Sequence, residues 1–98
     1  MKTLKEIQAS LIEHKHELQE LFHVRRIAVF GSRARRDDTS ISDVDILVEL
    51  EHPVGWEIVD LHHYLEQLLD LKVDLVTKGA VIRKPLLWQS IQEDLIYV

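Results

Sequence analysis

Three aspartates stand inside otherwise apolar sequence: Asp43 and Asp45 in DVDILVEL (43–50), and Asp74 in KVDLVT (72–77). A carboxylate within a buried strand is costly unless it is paired or bound to a cation. Strand alternation projects Asp43 and Asp45 from one face, about 7 Å apart along the chain. If the strand holding Asp74 lies alongside, its carboxylate joins them. Hard oxygen ligands with no cysteine anywhere in the chain suit Mg²⁺ or Mn²⁺. A pair of such ions can stabilise the attacking and leaving oxygens of an in-line phosphoryl displacement.

The complementary chemistry lies upstream. RIAVF (26–30) is short, β-branched and aromatic, and it stops at Gly31-Ser32. A strand ending in Gly and Ser at a helix start turns backbone N–H groups and a hydroxyl toward one point, an anion site by geometry and helix dipole. Gly31 permits close backbone approach, Ser32 can donate to a phosphate oxygen, and Arg33 or Arg36 can neutralise a triphosphate. Residues 25–36 hold Arg25, Arg26, Arg33, Arg35 and Arg36 and no acid, although the whole chain carries a net charge of −5. Donors for phosphates and acids for metal are the two requirements of nucleotidyl transfer.

These residues need a frame. Thr3 and Glu6 form a capping-box pattern, and Leu4, Ile7, Leu11, Leu18 and Leu21 recur at helical spacing, so residues 3–22 read as one amphipathic helix. His14 falls where that stripe expects an apolar residue. Strands are predicted over 26–30, 43–50 and 72–77, with Val44, Ile46 and Val48 on one face and Asp43, Asp45 and Leu47 on the other. SRARR reads as a short helix, and Ile58, Leu61, Leu65, Leu68 and Leu69 mark a long one from Trp56 to about Asp70. Pro85 suits the first position of a final helix carrying Leu87 and Ile91. DLIYV fits either a helical or an extended ending. The order α-β-α-β-α-β-α belongs to an α/β domain.

With 98 residues, 46% hydrophobic and 30% charged, the chain reads as one soluble globular domain. No run approaches the roughly 18 apolar residues of a membrane span, and the amphipathic N-terminus does not read as a signal peptide. A cytoplasmic location fits both. The acidic balance argues against a general nucleic-acid surface. His14 and His16, like the adjacent His62 and His63, lack the i, i+4 spacing of a zinc pair and read as partly buried or surface residues. Arg25 and Arg26 read as a solvated strand entrance, and Trp56 and Trp88 as core or interface anchors.

Gly31-Ser32, ten intervening residues, Asp43-x-Asp45 and a third acid at Asp74 resemble the DNA polymerase β-type nucleotidyltransferase superfamily. GSRAR and VDLVTKG resemble in particular its minimal nucleotidyltransferases, along essentially the whole chain. The resemblance implies the polymerase β-type nucleotidyltransferase fold, α/β (α+β), with a small mixed sheet of about three or four strands flanked by helices, as a single domain over 1–98. It assigns Gly31 and Ser32 to the nucleoside triphosphate, and Arg33 beside them is read as a further nucleotide-binding residue from its charge and position. Asp43 and Asp45 become metal ligands, and Asp74 a third carboxylate that ligates the catalytic metal and helps activate the acceptor hydroxyl. Mg²⁺, as two ions, with Mn²⁺ as a substitute, and ATP are the implied cofactor and substrate.

Many relatives have Gly where this chain has Arg36, so the turn after GSRAR departs from the pattern. Nearly all of the chain is spent on the nucleotide half, and catalysis must hold both reactants; the acceptor is therefore expected on another protein. In the family, minimal domains pair with a helical HEPN-domain ribonuclease toxin. The resemblance implies AMP transfer from ATP to a tyrosine of that toxin, silencing it, with no membrane and no direct nucleic-acid partner. An antitoxin acting by binding alone and a transferase acting on a small-molecule hydroxyl, such as that of an aminoglycoside, are the alternatives.

Overall fold

A computed structural model describes residues 3–31, 43–52 and 55–98. The short helix expected over SRARR, and with it Ser32, Arg33, Arg35 and Arg36, lies outside the described residues.

The capping box forms: Glu6 N–H donates to Thr3 Oγ1, and Thr3 N–H to Glu6 Oε1, each at 3.2 Å. The single helix expected over 3–22 is in fact two, α1 (Leu4–Glu13) and α2 (Lys15–Phe22). His14 is the cause. Its ring Nδ1 takes Ser10 O at 2.9 Å, the carbonyl that an unbroken helix would give to the His14 N–H. That N–H turns instead to Leu11 O at 3.2 Å, and the backbone opens to φ −108° and ψ 11°. His23, at φ 58°, then closes α2 and starts the first strand.

That strand, β1 (Val24–Phe30), begins two residues before the predicted start. It is followed by β2 (Val44–Leu50), α3 (Glu57–Leu69), β3 (Val73–Thr77), α4 (Lys78–Val81), α5 (Pro85–Asp94) and β4 (Ile96–Tyr97). Sequence reasoning missed α4, where Gly79 continues a helix after β3 with Thr77 Oγ1 accepting from Ala80 N–H at 3.3 Å. The ending resolves as both alternatives, since α5 runs to Asp94 and β4 pairs with β1.

The sheet is mixed, in the order β3-β2-β1-β4. β1 is antiparallel to β2 and to β4, whereas β2 and β3 are parallel and are joined through α3. Each face has its own apolar layer. Ile27, Val29, Val44, Ile46, Val48 and Val73 meet Ile7, Leu11 and Leu18 of α1 and α2 and Leu61, Leu65 and Leu69 of α3. On the reverse face Leu47 packs with Val81 and Ile91, flanked by Phe30, Val76 and Trp88. Fully burying a Leu or Ile is worth about 1.5–3 kcal/mol, so the first layer dominates the fold and fixes which face the odd-numbered residues of β2 occupy. Trp88 is thus part of the smaller core, while Trp56 is 85% exposed.

Candidate active site

Because β2 alternates, Asp45, Leu47 and Glu49 project from the reverse face, and Asp43 precedes them with the same parity. Cross-strand register brings the neighbours in. Phe30 pairs with Asp45, and Asp45 pairs with Asp74 across the parallel ladder, so strands about 4.8 Å apart carry the two carboxylates side by side. The C-terminal end of β1 and the N-terminal ends of β2 and β3 form one edge. Asp45 is half-buried there, while Asp43 and Asp74 are exposed.

Gly31 sits at the same edge, with φ +77°. A Cβ built on it would collide with Asp45 Oδ2 and lie 3.0 Å from Asp45 Cγ. Only glycine satisfies both demands, since it accepts left-handed backbone and leaves no side chain where the carboxylate stands. The Gly turn and the acid are therefore one construction.

Farther along the same face the chemistry changes. Glu49 pairs in register with Arg26. Its Oε2 lies 3.9 Å from Arg26 Nη1 and 3.7 Å from Lys78 Nζ. Arg26, expected at a solvated strand entrance, lies within β1 and stacks over the Tyr97 ring at 3.8 Å from its centroid. No cationic side chain among the described residues lies within ion-pair distance of Asp43 or Asp74.

Of the sequence-predicted residues, the structure thus brings together Gly31, Asp45 and Asp74, with Asp43 at the head of β2. Ser32 and Arg33 lie outside the described residues. The oxygen-only donor set and the Gly31 cradle fit a hard divalent cation. Among the described residues, however, no three acids already converge as a ligand group. Two carboxylates 4 Å apart repel by about 1 kcal/mol even in bulk water, a cost that a bound cation would offset.

Sequence comparison identifies the framework. A nucleotidyltransferase domain profile matches residues 11–98. The chain belongs to the nucleotidyltransferase domain family. It is 44% identical over 99 residues to the protein adenylyltransferase MntA of Thermococcus cleftensis, covering 100% of this chain and 98% of that one. A Methanocaldococcus jannaschii chain with the provisional name of protein adenylyltransferase is 48% identical over 99 residues, with 100% of both chains covered. Among solved structures, one provisionally named a minimal nucleotidyltransferase superposes with a TM-score of 0.78 at 28% identity, covering 97% of this chain and 95% of that one. A toxin–antitoxin crystal structure with AMP-PNP superposes at 0.70 and 23% identity over 92% of this chain and 70% of that one, a likeness of fold. The α/β nucleotidyltransferase fold expected from GSRAR and DVD is the one observed. No helix among the described residues is long and apolar enough to cross a membrane.

For two side chains near this nucleotidyltransferase edge the sequence reading gave no role. His62 and Glu66 of α3 both bond to the backbone of Val73, the residue before Asp74. Their i, i+4 spacing was visible, but their target is a main chain eleven and seven residues away, which no side-chain pattern announces.

Proposed function

We propose that this nucleotidyltransferase transfers AMP from ATP to a hydroxyl of a partner protein, a tyrosine of a HEPN-type ribonuclease toxin, and so neutralises that toxin. The observation that carries the reading is the edge where Gly31 has no room for a Cβ because the Asp45 carboxylate stands there, with Asp74 in register beside it. The name of the 44% identical Thermococcus cleftensis relative, a protein adenylyltransferase, supports AMP as the group and protein as the acceptor.

In this reading the triphosphate lies against Gly31 and Ser32, with Arg33 offsetting its charge. Asp43, Asp45 and Asp74 would hold Mg²⁺, which supplies charge neutralisation at the reacting phosphate and at the leaving pyrophosphate. The chain's own contribution is preorganisation. Strand register holds Asp45 and Asp74 side by side, so the electrostatic arrangement is prepaid by folding. Asp74, on the edge strand and exposed, is the acid that an incoming hydroxyl meets first; its negative charge favours loss of the hydroxyl proton during attack. Gly31 lets the phosphates approach the backbone while Asp45 stays beneath. A cytoplasmic site of action accords with a toxin acting on RNA.

The test mixes the chain with ATP, Mg²⁺ and the product of the adjoining reading frame, then measures that product's intact mass. A gain of one or more AMP units, lost in Asp43→Ala and Asp45→Ala, is the expected result. Toxin neutralisation that survives both substitutions with no mass change would replace catalysis with simple binding.

A further inference from the structure

β3 is an edge strand, with β2 on one side only. Backbone groups alternate in direction along a strand, and every one that is buried needs a partner. Lys72 faces β2, where its carbonyl accepts from Val44 N–H at 3.1 Å. Asp74 shares that parity, and Val73 between them turns both its groups outward.

Two side chains of α3 take both. His62 Nε2 bonds to Val73 O at 2.6 Å, and since a carbonyl only accepts, Nε2 carries the proton. Glu66 Oε2 accepts from Val73 N–H at 3.0 Å and lies 3.5 Å from His62 Nε2. Leu61, Leu65 and Leu69 root this helix in the core, which makes it a firm base for the clamp. The clamp grips one residue only: among the described residues no side chain bonds to the backbone of Leu75, the next outward position. General protection of a sheet edge would not stop there.

We propose that His62 and Glu66 are positioning residues for Asp74. By fixing both backbone groups of Val73, they set the height and twist at which the Asp74 carboxylate leaves the strand beside Asp45. The inference rests on the reading of Asp74 as a metal-binding carboxylate.

The test measures binding of Mn²⁺ in the presence of AMP-PNP, together with amide exchange at Val73, well below the melting temperature. Losing a hydrogen-bond partner behind a metal ligand costs about 10–100-fold in affinity. His62→Leu and Glu66→Met, acting through the backbone, should weaken Mn²⁺ binding by about tenfold, and Glu66→Met should speed Val73 exchange. His62→Gln and Glu66→Gln, which keep a donor and an acceptor of similar reach, should restore most of the affinity. Should His62→Leu not fold, His62→Asn, whose donor is too short to reach Val73 O, takes its place. Folded clamp variants that bind Mn²⁺ like the wild type, beside an Asp74→Asn variant that does not, would overturn the positioning role alone. Wild-type affinity in Asp74→Asn would overturn the metal-ligand reading of Asp74 and the inference with it.

Discussion

The reverse face of β2 carries acids at both ends, and the two ends are built differently. Glu49 is 20% exposed and stands between Arg26 and Lys78, so the protein supplies its counter-charge. At the other end Asp43 and Asp74 have no cation of the protein within reach among the described residues, and Asp45 is held under a glycine. Between the ends lies Leu47, buried beneath Val81 and Ile91. β2 and its surroundings therefore show an acid whose counter-charge the fold supplies and, at Asp43 and Asp74, acids with no cation of the protein at hand among the described residues. A carboxylate's sequence neighbours do not distinguish the two, but its cross-strand partners do. A third solution appears at Glu17, which accepts a hydrogen bond from Tyr64 OH at 2.6 Å and forms no ion pair among the described residues.

This contrast can be broken by exchanging the ends. Asp45→Asn should cut AMP transfer by on the order of a thousandfold, as expected when a group stabilising transition-state charge is lost, while circular dichroism and melting stay near wild type. Gly31→Ala should act on both counts. Left-handed backbone costs a residue with a Cβ about 1–2 kcal/mol, and that Cβ must also push Asp45 aside. A urea titration should show the stability loss, and transfer should fall by about a hundredfold.

Glu49→Gln should leave transfer within about twofold and cost no more than about 1 kcal/mol, since its ion pairs are long and partly solvent-screened. Its Oε2 has no hydrogen-bond partner among the described residues, which further limits what is lost. The smallest effect concerns the third kind of acid. Burial, then the hydrogen bond to Glu17 and that residue's charge, push the Tyr64 phenol up to about 12 from its ordinary 10.0. A raised folded-state value means that this contribution to stability is complete below pH 10 and is lost as pH rises through about 12. Ultraviolet titration of Glu17→Gln should move the Tyr64 transition back toward the ordinary value; an unmoved transition would show that Glu17 plays no part.

Asp43, Asp45 and Asp74 were legible in the sequence because acids inside apolar strands are conspicuous, and two-residue spacing fixes their shared face. The pairing of Asp45 with Asp74 was conditional on strand order, which periodicity cannot supply. Gly31 was legible as a turn but not as a neighbour of Asp45, because the approach depends on how β1 and β2 align. The break at His14 was hidden because its cause is a ring reaching back to Ser10 O, a contact that helical spacing does not reveal. The final strand, only Ile96–Tyr97, is too short to announce itself, and it gains its place by pairing with β1. His62 and Glu66 were invisible for the same reason as the His14 bond: they address backbone.

If the two acidic ends of β2 differ in kind, calorimetric titration of Mn²⁺ with AMP-PNP will separate them. Wild type and Glu49→Gln should bind with affinities within about twofold of each other, and Asp45→Asn should bind at least about tenfold more weakly. Equal weakening in Glu49→Gln and Asp45→Asn, or unchanged binding in Asp45→Asn, would contradict the account.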